Sequence, residues 1–246
     1  MQITVYDEAR NARAFDLRTL DAYSEAYETE HYMFRCKPSS YAWKNVRAAA
    51  AGQEICFRKI MERLAIPFRD TIRYFLTDTL EENGRIMEEL FGEYAPGNGF
   101  AIGPNNVFAV YNEQIQCVGA HEDTHLISYA YCDPSCAFLS EGIAMYLDEE
   151  WWGEPNAEWV KRFLNDGSYR SVFALADDET FWNVPCEISY PIAGAFTAYL
   201  TERLGAEAFL ERIYKPKGSL ADKTEQVFRK ASAEIEEDFI NRIRST

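Results

Sequence analysis

Two of the three histidines in the sequence stand four residues apart, and a glutamate directly follows the first of them. The segment reads His121-Glu122-Asp123-Thr124-His125, which fits the pattern H-E-x-x-H. On a helix, side chains four positions apart lie on one face, so the two imidazoles are expected to point the same way. Two imidazoles at this spacing can bind one metal ion together with a carboxylate from elsewhere in the chain. Glu122 would then be placed to take a proton from a water molecule that the metal activates.

A second motif begins thirteen positions after His125, where residues 138–144 read Phe-Leu-Ser-Glu-Gly-Ile-Ala. Together the two motifs resemble those of the gluzincin zinc metallopeptidases, within the peptidase MA-like group. In that group the HExxH helix is followed by a helix that opens W-L-x-E-G-x-A, and Phe138 stands here where tryptophan is common. The resemblance implies that His121, His125 and Glu141 bind one Zn²⁺ ion and that Glu122 is the general base.

Peptide hydrolysis also needs a group that stabilises the oxyanion of the tetrahedral intermediate. The histidine outside the motif, His31, lies far upstream and is a poor candidate. The segment from Tyr190 to Phe209 resembles a helix of peptidase MA-like proteins, and related families place such a tyrosine at the start of that helix. This resemblance favours the Tyr190 hydroxyl, with Tyr146 and Tyr169 as alternatives.

Other polar residues near the motifs are weaker candidates for the metal site. Asp148 lies seven residues after Glu141 and is a candidate to accept a hydrogen bond from a ligating histidine. Cys132 and Cys136 are four residues apart, but a C-x-x-x-C pair alone is a poor zinc signature, and packed thiols are the better interpretation. Cys117 is expected one helical turn before the first motif histidine, where packing again explains it best.

Composition restricts the class of protein. The 246 residues have a formal net charge of −15, which argues against nucleic-acid binding and against anionic membrane surfaces. No apolar run is long enough to span a bilayer, and the first residues lack the features of a secretory signal. Six irregularly spaced cysteines are typical of reduced thiols, which indicates a cytoplasmic protein. The sequence carries no signal for the oligomeric state.

Periodicity and turn residues predict one domain over residues 1–246, of α+β class and zincin-like. Its N-terminal part, residues 1–135, is expected to hold a small mixed sheet, helices and the HExxH helix; residues 136–246 are expected to be mostly helical. Alternation and β-branched content predict strands near residues 3–6, 28–36, 71–77, 100–102 and 107–111. Helices are expected near 41–64, 81–91, 136–150, from 154, 189–204, 206–214 and 219–243, with 178–182 as a loop.

The segment that leads into the metal helix has a further expected role. In gluzincins the strand in this place is an exposed sheet edge that pairs with extended substrate, so Val107 to Tyr111 is the candidate substrate ledge. A fully covered internal strand explains the same residues equally well. Asn112 is the predicted N-cap of the helix that carries the two histidines.

These motifs favour zinc-dependent hydrolysis of peptide bonds, and two alternatives stay open. One is a zinc hydrolase that acts on a non-peptide amide. The other is a non-catalytic, zinc-stabilised binding or regulatory domain. Glu122 argues against the second alternative, because a purely structural zinc site has no use for that carboxylate and normally closes with a fourth protein ligand.

Overall fold

The computed structural model describes residues 1–6 and 11–245. They form two compact units: Met1–Glu62 with Ile66–Tyr131, and Arg63–Ala65 with Cys132–Thr246. A mixed β-sheet lies in the first unit, and the second is mostly helical. The predicted α+β class is therefore confirmed.

The N-terminal unit is built around a five-stranded sheet of order β3-β4-β5-β7-β6. Strands β4, β5 and β7 are parallel, and the two edge strands β3 and β6 run antiparallel to their neighbours. The elements are, in chain order, β1 (Gln2–Tyr6), β2 (Ala12–Asp16), a 3₁₀ turn (Arg18–Ala22), β3 (Glu25–Glu28), β4 (Tyr32–Cys36), α1 (Tyr41–Leu64), β5 (Ile72–Thr77), α2 (Leu80–Phe91), β6 (Gly99–Ile102), β7 (Asn106–Val110) and α3 (Ala120–Tyr131).

The sequence patterns explain most of these elements. In β4, Tyr32, Phe34 and Cys36 are buried and alternate with half-buried residues, as the period of two predicts. The predicted strand at 28–36 is in fact two, because the chain turns between β3 and β4 and pairs with itself. Helix α1 has the predicted bounds, and Thr79 caps α2 by accepting a hydrogen bond from the backbone of Glu82.

The first hairpin, β1–β2, lies outside the main sheet and contributes to its core. Strand β1 was expected; β2 and the 3₁₀ turn were not. Ile3 and Val5 belong to one apolar cluster with Tyr23, Phe75 and Phe108. The rings of the last two stack with centroids 4.9 Å apart. Burial of this apolar surface supplies the main stabilisation of the hairpin.

The C-terminal unit is a helical array with one short hairpin. Its elements are, in chain order, α4 (Ala137–Asp148), β8 (Glu150–Trp151), β9 (Glu154–Pro155), α5 (Asn156–Asp166), α6 (Val172–Leu175), α7 (Asp178–Asn183), α8 (Cys186–Leu204), α9 (Ala206–Phe209), a π-helical turn (Leu210–Tyr214), α10 (Leu220–Phe228) and α11 (Ser232–Ser245). None of the helices among the described residues is both long and apolar enough to cross a bilayer.

Helices α4 and α8 pack closely because each has a glycine at the contact. A Cβ atom at Gly142 would lie 2.5 Å from Thr197 Oγ1, and one at Gly194 would lie 2.6 Å from Met145 Cβ. A larger residue at either position would force the helices apart. This contact fixes the helix that carries Glu141.

Two predictions for the C-terminal unit were wrong. The expected loop at 178–182 is helix α7, which Asp177 caps by accepting a hydrogen bond from the backbone of Thr180. The expected single helix over 219–243 is broken, because Arg229 adopts a left-handed conformation with φ of 55° after α10. Helix α8 also begins three residues before the predicted start at Ser189.

Candidate metal centre

The two motif histidines lie one turn apart on α3. Their Nε2 atoms are 3.2 Å apart, and their ring planes are inclined at 81°. His125 is buried and His121 is half-buried. This separation suits two nitrogen ligands that share one tetrahedral ion at about 2 Å from each.

Glu141, the predicted third ligand, is buried on α4. One ligand atom from each of His121, His125 and Glu141 lies within 4.8 Å of the other two, so the three side chains could hold a metal ion. Two imidazole nitrogens and a carboxylate oxygen are a donor set that suits zinc, and three protein ligands leave a fourth position for water or substrate. These residues therefore fit the predicted zinc ion.

Glu122, the predicted general base, is half-buried on α3 and lies beside strand β6. A Cβ atom at Gly99, the first residue of β6, would be 3.3 Å from Glu122 Oε1 and 3.0 Å from Cys117 Sγ. The backbone of β6 thus passes next to the carboxylate because residue 99 has no side chain. The sequence offered one signal for this contact, since a glycine within a strand often marks a close approach.

The predicted substrate ledge at Val107 to Tyr111 is wrong, and the alternative of a fully covered internal strand is confirmed. Strand β7, which contains Val107 to Val110, lies between β5 and β6 and is buried along its whole length. Tyr111 is buried too and forms a bridge with Gln116. Among the described strands, β6 is the one at this edge of the sheet, and it pairs with β7 on one side. Strand β6, the first strand of this hairpin, therefore covers the strand that was expected to be exposed.

The segment between β7 and α3 also differs from expectation. Asn112 is not the N-cap of α3, which begins at Ala120. Its side-chain oxygen accepts hydrogen bonds from two backbone N–H groups of the following turn, each at 2.8 Å. Cys117 consequently precedes the helix, and the prediction that it lies one helical turn before the first histidine was wrong. Helix α3 therefore begins later than predicted, because Asn112 and the residues after it form a turn instead of the first part of the helix.

Asp123 lies between the motif histidines in sequence but is fully buried. Its carboxylate accepts hydrogen bonds from the hydroxyls of Tyr32 at 2.5 Å and Tyr74 at 2.8 Å. The side-chain amide of Gln53 donates to it at 2.8 Å, and also to the Gly119 carbonyl at 2.6 Å. These bonds attach the start of α3 to β4, β5 and α1, and they were not foreseen from the sequence.

Electrostatics around Asp123 follow from its burial. Removal from water raises the pKa of Asp123 to about 7, although the bonds from Tyr32, Tyr74 and Gln53 favour its ionised form. Burial, followed by the nearby Asp123 charge, also raises the pKa of both tyrosine hydroxyls. Both hydroxyls therefore remain protonated and able to donate at neutral pH.

The tyrosines proposed for the oxyanion have different surroundings. Tyr190 is half-buried near the start of α8; its ring stacks on Phe181, with centroids 5.9 Å apart, and meets the Trp151 ring edge-on. The hydroxyl of Tyr169 donates to Glu236 at 2.7 Å, which gives it a role in packing α11. The Tyr146 ring lies under the Arg63 guanidinium, 5.6 Å from its centroid.

His31 belongs to a second group that could hold a metal ion, together with Glu30 and Glu54. Its Nδ1 lies 2.8 Å from Glu54 Oε2, and its ring stacks on Phe57. Glu54 also accepts a hydrogen bond from the His31 backbone, and Glu30 is largely exposed. The contacts with Glu54 and Phe57 explain the position of His31 without a metal ion.

The remaining candidates have ordinary surroundings. Asp148 is half-buried as the last residue of α4. All six cysteines are free thiols. Cys136 directly precedes α4, and burial raises the pKa of its thiol, which disfavours the thiolate that zinc requires. For Cys132 and Cys136, packing remains the better interpretation.

The chain was also compared with known proteins. No protein-family model matches the sequence, and no curated protein matches it.

Proposed function

We propose that this chain is a zinc-dependent peptidase of the gluzincin type, with one Zn²⁺ held by His121, His125 and Glu141. The observation that carries the proposal is the grouping of three ligand atoms within 4.8 Å of one another, from residues that the two motifs had identified separately. Two histidines and a glutamate are a ligand set found in catalytic zinc sites.

The proposed reaction assigns a role to each nearby side chain. Zinc, when bound, would supply a Lewis acid that activates water and polarises the scissile carbonyl. Glu122 accepts the proton of the attacking water and passes it to the leaving amine. The Tyr190 hydroxyl donates a hydrogen bond to the developing oxyanion. The close approach of Gly99 to Glu122 supports the role of Glu122 as the base, because it brings this carboxylate to the edge of the sheet.

An extended peptide is the substrate that this edge favours. Strand β6 pairs with a neighbour on one side among the described strands, so its other side can accept a further strand. Backbone hydrogen bonds of this kind hold a peptide regardless of its side chains. We therefore propose β6, in place of β7, as the ledge that aligns substrate with Glu122.

The proposed partner and location follow from composition. A formal net charge of −15 supports a peptide or protein substrate over a nucleic acid. We further propose a cytoplasmic location, which the six free thiols support, because such thiols persist in a reducing compartment.

Metal analysis of protein purified without added zinc tests the proposed centre. We expect about one zinc ion per chain, lost in His121→Ala and retained in His31→Ala, which removes the histidine of the second group. Zinc that disappears with His31 and persists without His121 would place the ion at the second group and refute the proposal.

A peptide-library digest, with products identified by mass spectrometry, tests the activity. We expect cleavage by the zinc-loaded protein and none after chelation. A loaded protein that cleaves no peptide but hydrolyses simple N-acyl amides would belong to the first alternative class. One that hydrolyses neither would be a zinc-stabilised binding domain.

A further inference from the structure

Five aromatic side chains of the C-terminal unit form a continuous row, which we call the aromatic strip: Trp152, Trp151, Tyr190, Phe181 and Trp182. Consecutive ring centroids are 6.1, 5.6, 5.9 and 5.1 Å apart. The two ends are open to solvent, with Trp152 exposed by 76% and Trp182 by 62%. Exposed tryptophans joined through a packed aromatic row are typical of a binding surface.

The backbone at Trp152 indicates that its exposure is not incidental. Trp152 and Gly153 form the two-residue turn between β8 and β9, and both have positive φ, 52° and 78°. Turns of this kind favour asparagine or aspartate followed by glycine, because a bulky side chain is strained in the left-handed region. A tryptophan that is both strained and exposed stabilises neither the turn nor the core, and such outliers point to function.

The charged residues in the two chain segments that carry the strip are all acidic. Residues 148–158 and 177–190, which carry the strip, contain nine Asp or Glu residues and no Lys or Arg. Glu149 pairs with Arg63 and Glu154 with Arg162, whereas Glu150 is exposed next to the turn. The surface around both exposed indoles is therefore acidic, which favours a cationic ligand over an apolar or anionic one.

We propose that the aromatic strip binds a lysine or arginine side chain of the peptide substrate and gives the enzyme a preference for basic sequences. A cation over the face of an indole is attracted by the ring quadrupole, and neighbouring carboxylates add to that attraction. The proposal rests on the proposed function, because it takes the ligand to be the peptide that is hydrolysed.

The position of the strip within the C-terminal unit supports this assignment. Tyr190, the residue proposed for the oxyanion, is the central ring of the strip. Phe181 also meets the ring of Phe138, which lies one helical turn before Glu141 on α4. A side chain bound on the strip would thus be held by the same packed group of residues that supports the proposed catalytic tyrosine.

A binding measurement that needs no turnover tests the proposal. The Glu122→Gln protein is titrated with an arginine-containing peptide and with the same peptide carrying citrulline, the neutral isostere, at two salt concentrations. We expect the arginine peptide to bind about 10-fold tighter at low salt, a ratio in the range of cation–π and surface charge effects. Equal affinity for the two peptides, or tighter binding of a phenylalanine peptide, would overturn the proposal.

Variants of Trp152 assign the effect to the strip. Trp152→Ala should remove most of the arginine preference, Trp152→Phe should retain part of it, and Ile55→Ala, at an exposed apolar residue of α1, should leave it unchanged. Trp152→Asn should raise the temperature of unfolding, because asparagine suits the turn, and should still lose the preference. An unchanged preference in both Trp152→Ala and Trp152→Asn would refute the role of the strip.

The two proposals can fail separately. If the wild-type protein hydrolyses no peptide but the arginine preference depends on Trp152, the strip is a binding surface and the peptidase proposal is wrong. If peptides are cleaved with no preference for basic residues, the peptidase proposal stands and the strip proposal is wrong.

Discussion

Glu122 and Asp123 are neighbouring carboxylates on one helix, yet they lie in opposite environments. Glu122 is half-buried and lies beside the backbone of β6. Asp123 is fully buried and accepts hydrogen bonds from two tyrosines and a glutamine. Successive helix positions differ by about 100° around the axis, so adjacent residues can serve opposite faces.

This difference shows how one short motif serves both chemistry and structure. The inner face of α3 attaches the helix to the sheet through Asp123, and the outer face presents His121, Glu122 and His125. A firmly attached helix holds its other face in a fixed geometry, which metal binding and proton transfer both require. Substitutions on the outer face should therefore mainly reduce activity, whereas substitutions on the inner face should mainly reduce stability.

The largest effect is expected on the outer face. Glu122→Gln should lower kcat by about 10²–10⁴-fold, the range for loss of a general base. Zinc content should be unchanged, and the free energy of unfolding should change by no more than about 0.5 kcal/mol, because the side chain is outside the core. Steady-state kinetics, metal analysis and denaturant unfolding check these three values; wild-type turnover in this variant would contradict the assignment.

The inner face is expected to contribute mainly stability. Asp123→Ala should lower the free energy of unfolding by about 3 kcal/mol, because Tyr32, Tyr74 and Gln53 lose a shared acceptor inside the protein. Denaturant unfolding of the metal-free protein measures this change. Asp123→Asn, which keeps one acceptor oxygen, is the matched control and should lose less. Equal stability of the alanine variant and the wild type would show that the buried bonds are not important for the fold.

A smaller effect is expected where β6 meets the outer face. Gly99→Ala should lower kcat by about 10-fold, because the added methyl group would displace the Glu122 carboxylate and such misplacements reduce turnover. Gly97→Ala is the control, since a Cβ atom there meets nothing within 4 Å. If both variants keep wild-type kcat, the position of β6 next to Glu122 has no catalytic importance.

The smallest effect concerns a third carboxylate of the N-terminal unit, Glu82, whose main partner is a cation. Burial opposes its ionisation, but the ion pair with Lys37 and a hydrogen bond from the backbone N–H of Asp78 favour the carboxylate, and the pKa of Glu82 is lowered from its ordinary value of 4.5. A lowered pKa stabilises the fold above the unfolded-state pKa, and this contribution is lost as the pH falls through the folded-state pKa.

We therefore expect the wild type to lose about 1 kcal/mol more than Glu82→Gln as the pH falls from about 6 to about 3. Unfolding curves of both proteins across that range measure the difference. Identical pH profiles would show that the Lys37–Glu82 pair contributes nothing to stability, in contrast with the neutral donors around Asp123.

Local patterns in the sequence determined the elements that depend on neighbouring residues. The spacing of His121 and His125 predicted their side-by-side arrangement, and the bounds of α1 and the alternation of Tyr32 and Phe34 followed from periodicity. Periodicity works here because the repeats of helix and strand are fixed by backbone geometry. Turn residues were harder to interpret: Asn112 suited both a helix cap and the turn that it forms.

Only the tertiary structure decided the order of the strands and the partners of buried polar groups. The sequence could not show that β6 covers β7, which made the predicted ledge wrong, or that Asp123 would meet Tyr32 and Tyr74, which are 91 and 49 residues away. The physical reason is that pairing in a sheet joins distant segments through backbone groups common to all residues. A local pattern therefore specifies which face of a strand or helix is buried, but not what it is buried against.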